Sequence, residues 1–170
     1  MKGGVKFLGH SVHPILIVFP LGLLGTAAIF DVVHWITANL VFATVSFWMI
    51  VAGLIGGAAA ALFGWIDWFA IPANTRAKSV GLMHGLANSV VMLFFLGSIL
   101  MRPGYDEPPG TLPIILSVAG LAIAGVGGWL GGELVERLSV GVHRGAHFDA
   151  PSSLVKDEPV GPVTAPVEQE

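Results

Sequence analysis

Four apolar stretches, each close to the ~20 residues that a membrane-crossing helix requires, leave this chain few choices of fold. They run over 12–37, 40–65, 80–101 and 112–135. Only 11% of the residues are charged, less than half of the roughly 25% found in soluble domains. The expected fold is therefore all-α: an integral membrane four-helix bundle with antiparallel neighbours.

The connections fit that reading. TANL joins the first two stretches as a tight helical hairpin, DWFAIPANTRAKS joins the second to the third, and RPGYDEPPGT joins the third to the fourth. The Pro and Gly of that last connection stop both flanking helices. Residues 1–11 form a short N-terminal segment, the bundle occupies 12–136, and 137–170 form a tail. The tail is expected to be disordered from about 150, because a sequence rich in Pro and acid without periodicity cannot bury a core. Lys2 and Lys6 ahead of an apolar run, with LGTAA after it, also suit a signal peptide. The run continues well past those small residues, so a first span is the stronger reading.

Four spans place both termini and the middle loop on one side. That side carries Lys2, Lys6, Arg76, Lys78, Arg137, Arg144 and Lys156, while Arg102 alone falls on the other. The positive-inside rule then makes both termini cytoplasmic. Trp65, Trp68 and Trp129 fall near that boundary and Trp35 near the other, as an interfacial aromatic belt does. The chain has no cysteine, which excludes disulfides, thiolate metal sites and covalently attached haem. Nothing reads as a basic nucleic-acid surface.

The polar residues inside the spans are few and patterned. With about 100° per residue and His13 as origin, Asp31 returns to about 0°, Pro20 lies near −20°, His34 near −60° and His10 near +60°. In the third span, with His84 as origin, Asn88 falls near +40°, Gly81 near +60° and Ser98 near −40°. An ionisable group facing lipid costs several kcal/mol, so both stripes should face the bundle interior. The second and fourth spans offer small residues instead: Gly53, Gly57, Ala60 and Gly64, then Gly120, Ala124, Gly127 and Gly131. Such stripes let helix backbones approach closely. At the cytoplasmic end, four segments deliver His10, His13, Asp67, Arg76, His84 and Glu133 to one layer. At the other end sit Asp31 and His34, with Arg102, Asp106 and Glu107 in the nearby loop.

Plain structural roles account for many of these. His10 suits a helix cap, Asp67 an ion pair with Arg76, and Asp31 a hydrogen bond to His34, while His143 and His147 suit solvent. His13 and His84 are different, being inside apolar segments at similar depth on inward faces. Two histidines from separate helices are what haem b requires; Arg76 would then meet a propionate, with Asn88 also near the cofactor. His10, His13, His84 and Asp67 form an alternative divalent-metal set. A proton relay is a third reading. A fourth makes the same layer a hydrogen-bonded clamp in a structural or accessory subunit.

Three blocks, GHSVHPILIVFPLGLLGTAAIFD, LFGWIDWFAIPANTRAKSVGLMHGLAN and GGWLGGELVERLSVGVHRG, closely resemble the bacterial membrane proteins grouped as domain of unknown function 2231. The likeness covers roughly 7–145 and falls on His10, His13, Pro20, Asp31, Asp67, Arg76, His84, Asn88 and Glu133, among others. Where the family often has Pro, Tyr and His, this chain has Ser11, Glu136 and Leu138. The resemblance implies a multi-pass protein of the bacterial inner membrane with no assigned activity. Relatives that look like it are sometimes joined to Rieske-type or cytochrome c modules. It thus implies a redox-linked subunit, with the lipid bilayer, a redox protein or a second copy as partner.

Overall fold

The computed structural model describes residues 4–155. Lys2 and Lys156 of the charge count, and the acidic tail from 156 onward, lie outside the described residues. The chain begins with a hairpin of β1 (Lys6–Phe7) and β2 (His10–Ser11). Its turn places Leu8 and Gly9 at φ 48° and 83°, the mirror-image turn that suits strand twist. There follow α1 (Val12–Leu16), α2 (Val18–Thr37), α3 (Leu40–Ala70), α4 (Arg76–Leu100) and α5 (Thr111–Gly132), then one wide turn of π-helix over Glu133–Arg137. Together α1 and α2 make the first span, and all four spans are long and apolar enough to cross a membrane. The chain is a four-helix membrane bundle.

Local chemistry sets the boundaries. The first span is interrupted at Ile17, three residues before Pro20, which has no N–H to give to the carbonyl of Leu16. At the hairpin between α2 and α3, Ala38 takes a left-handed φ of 53° and the Asn39 side chain accepts from the Val41 N–H at 3.0 Å. Thr75 caps α4 in the same way, accepting from the Lys78 N–H at 3.1 Å. Such caps satisfy donors that a helix start leaves orphaned.

Each span packs on its sequence neighbours, and α5 closes the ring against α2. The glycines set the register. A Cβ built at Gly53 would touch Leu24 and at Gly64 His13, while at Gly57 it would meet Met92 of α4 first and then Pro20. On the other pair, a Cβ at Gly120 would touch Phe95, at Gly127 Asn88 and at Gly131 His84. The first span thus runs antiparallel to α3, and α4 to α5, each glycine receiving a side chain from the opposite helix. Leu24, Ala27, Ala28, Ile50, Val91 and Phe95 form the buried apolar core at mid-height. The described chain ends meet: Ser153 Oγ donates to the Leu8 carbonyl at 3.0 Å. We call this the terminal end and the opposite one, with the α2–α3 and α4–α5 connections, the loop end.

Candidate functional site

His13 and His84 meet inside the terminal end, with ring centroids 6.3 Å apart and planes at 89°. Their elements explain the placement. His13 sits in the first turn of the first span, above Gly64; His84 lies two turns into α4, against Gly131. Each ring is held by a backbone carbonyl of the glycine-faced helix beside it. His13 Nδ1 donates to the Ala60 carbonyl at 2.8 Å, and His84 Nδ1 to the Gly127 carbonyl at 2.9 Å. A carbonyl only accepts, so Nδ1 carries a proton in each ring. Asn88 completes the group. Its Nδ2 donates to the His84 carbonyl at 2.9 Å and lies over the imidazole, 3.3 Å from Nε2.

Of the other members of the expected layer, Asp67 stays within electrostatic reach of His13 while turning toward the N-terminal segment, and the rest go elsewhere. His10 lies in β2 rather than on a helix, is exposed, and contacts only the Leu8 carbonyl, 3.2 Å from Nδ1. Its helical phase does not apply there, because Ser11 rather than His10 precedes the helix. The expected Asp67–Arg76 pair does not form. Arg76 Nη2 donates to Glu133 Oε1 at 2.5 Å, bridging α4 to the end of α5. Asp67 faces the N-terminal segment, where a Cβ at Gly4 would stand 2.6 Å from Oδ1. It lines a cavity of about 40 Å³ with Lys6, Ser11 and Val140. Among the described residues no three His, Asp or Glu side chains stand close enough to hold a metal. His143 and His147 are exposed, each accepting a nearby backbone N–H.

The loop end holds a second polar group. Asp31 and Arg102 are an ion pair at 2.6 Å, with side chains 0% and 1% exposed. Ser117 Oγ approaches Asp31 Oδ2 at 2.5 Å. Ser98 Oγ accepts from Arg102 Nη2 at 3.2 Å and donates to the Pro113 carbonyl at 2.7 Å. Asp31 therefore does not bond His34. The His34 ring instead closes the helical hairpin, with Nδ1 donating to the Asn39 carbonyl at 3.0 Å. Arg102, expected in an outer loop, folds back into the bundle. The α3–α4 turn shows a further contact: Trp68 Nε1 donates to the Lys78 carbonyl at 3.0 Å, and Lys78 Nζ sits 3.8 Å over the indole. Lys78 Nζ also donates to the Trp68 carbonyl at 2.8 Å, so this turn is held by a cation–π contact as well as hydrogen bonds.

Removing the surface pair should cost little. Arg76 is 61% exposed, and such bridges contribute about 0–1 kcal/mol. Arg76→Ala should lower the thermal midpoint of detergent-solubilised protein only slightly.

In comparison with known proteins, the family model described as "Predicted membrane protein (DUF2231)" matches residues 9–144. No curated protein and no solved structure matches the chain.

Proposed function

The chain belongs to the DUF2231 family of predicted membrane proteins, and from that premise we propose that it is a non-enzymatic structural or accessory membrane subunit whose histidine layer is a pair of interhelical clamps. The observation that carries this reading is the matched use of the two rings. Each imidazole fills the groove over a glycine and donates to a backbone carbonyl one turn away, joining the first span to α3 and α4 to α5. In lipid there is no hydrophobic drive between helices, so close packing and such bonds hold them together.

The ligand readings fit these residues less well. The glycines that would cradle a cofactor are occupied by the imidazoles themselves: a Cβ at Gly64 would lie 2.9 Å from His13 Cε1, and one at Gly131 3.1 Å from His84 Cε1. The Asn88 amide lies across the His84 ring. Arg76 is engaged by Glu133, away from any propionate. His10 stands outside the layer, and Asp67 is turned to the N-terminal segment. A proton relay is disfavoured by distance. His13 and Asp31 are 18 residues apart on one span, which is ~27 Å of helix, and the apolar core fills the interval. Charge distribution favours a cytoplasmic terminal end, since Arg102 alone among the described Lys and Arg belongs to the loop end, and the family resemblance supports a bacterial inner membrane as its place.

Metal analysis, visible spectra and thermal unfolding of the purified protein test the proposal together. The protein from cells supplied with haem and metals should be colourless and metal-free. His13→Ala and His84→Ala should each cost about 1–2 kcal/mol, the range for a lost buried or interhelical hydrogen bond. A Soret band, or a stoichiometric metal, that disappears in either variant would replace the clamp with a ligand site.

A further inference from the structure

At the loop end the bundle buries more hydrogen-bonding capacity than its own side chains use. Among the described residues, Asp31 Oδ1, Ser46 Oγ, and Nε and Nη1 of Arg102 are buried without a partner. Asp31 and Ser46 are 0% exposed and Arg102 8%. Register puts them in one layer. The alignment that sets Gly64 against His13 and Gly53 against Leu24 continues along the helices to set Ser46 opposite Asp31. The α4–α5 alignment, with Gly131 against His84 and Gly120 against Phe95, likewise sets Ser117 beside Ser98. Every span contributes to this layer, and Arg102 and Ser117 both reach Asp31 Oδ2 within it.

We infer that this layer is a hydration site, in which bound water bridges the free N–H groups of Arg102 to Asp31 Oδ1 and Ser46 Oγ. The chemistry selects the ligand. Arg102 offers unused donors, Asp31 an unused acceptor and Ser46 one of each kind, so a small molecule that both donates and accepts satisfies all of them. The pair is neutral overall. A cation would be repelled by Arg102 and an anion by Asp31, which leaves an uncharged ligand. A buried polar group without a partner loses the full desolvation cost, which bridging water removes. Access comes from the loop end, because Arg102 lies just beyond α4 at the start of the connection to α5. Water stops there, because Leu24, Ile50, Val91 and Phe95 seal the bundle below. The layer is a hydrated vestibule, not a conduit.

The chain has no cysteine, so Ser46→Cys introduces a single thiol. In the full-length detergent-solubilised protein, this thiol should be lost on treatment with methyl methanethiosulfonate, a small uncharged reagent. Thr37→Cys, on the exposed end of α2, should react as well, and Ala28→Cys, in the dry core, should keep its thiol. Protection of S46C to the level of A28C would overturn the inference. A milder variant gives a second readout. Ser46→Ala removes a bridged hydroxyl under this inference and should lower the thermal midpoint. A hydroxyl that is buried dry is a burden, so a midpoint that rises or stays unchanged would overturn the hydration site.

Discussion

Arg102→Ala should be the most damaging single substitution in the molecule, costing about 3–5 kcal/mol, as expected when one partner of a buried ion pair is removed. The reason is what remains. Asp31 is completely buried, with lipid outside its helix and the apolar core directly below its layer. Without Arg102 its carboxylate keeps the Ser117 hydroxyl as its only direct side-chain partner, and that group has one proton and an alternative acceptor in the Ile114 carbonyl at 2.9 Å. Folded yield in membranes and the midpoint of unfolding in a graded denaturing detergent should both fall sharply. The partner experiment separates this from lost packing. Asp31→Leu combined with Arg102→Met removes both charges together, and such replacements are often neutral or stabilising. Ser98 and Ser117 would retain their bonds to the Pro113 and Ile114 carbonyls, so the double variant creates no new orphan there. It should recover most of the stability lost in R102A. An R102A protein as stable as the parent would mean that Asp31 does not depend on this pairing.

That ion pair also marks the boundary of what the residue pattern could tell. Four apolar runs of membrane-spanning length are a one-dimensional signal, and the four spans follow from them directly. The inward faces were legible too, because helical phase is fixed by spacing alone: His13 and Asp31 share a face, and both prove to point inward. Pairing across helices is a different kind of information. Arg102 lies 71 residues from Asp31, and its place beyond the third span reads as an outer loop until the side chain is seen to fold back. Asp67 and Arg76 look like partners because they are close in sequence, yet Arg76 reaches Glu133, 57 residues away, across the α4–α5 contact. Ser46 and Ser117 gave no signal as single residues, since a hydroxyl in an apolar helix reads as one more small packing group. The signal that could have found them is register: extending the glycine stripes by further turns brings both serines to the level of Asp31.

The glycine stripes yield the second large prediction, and it is a contrast within one residue type. Gly64→Ala and Gly127→Ala should each destabilise the bundle by about 1–3 kcal/mol, the usual range for forcing extra atoms into a packed interior. At Gly64 the new Cβ would lie 2.9 Å from both Cε1 and Nδ1 of His13. The ring must move, and moving it strains the 2.8 Å bond to the Ala60 carbonyl. At Gly127 the new Cβ would lie 2.8 Å from Asn88 Oδ1, on the residue whose own carbonyl anchors His84. Both substitutions therefore attack the clamps without touching a histidine. Gly125, Gly128 and Gly132 lie on the same helix with nothing within 4 Å of a built Cβ. There alanine adds no clash and has better helix propensity by roughly 1 kcal/mol, so those variants should be neutral or slightly stabilised. Thermal midpoints of the five variants in one detergent check the pattern. If G64A and G127A unfold with the same midpoint as the outward set, the histidine clamps do not hold the helices together, and the proposed role of the layer fails with them.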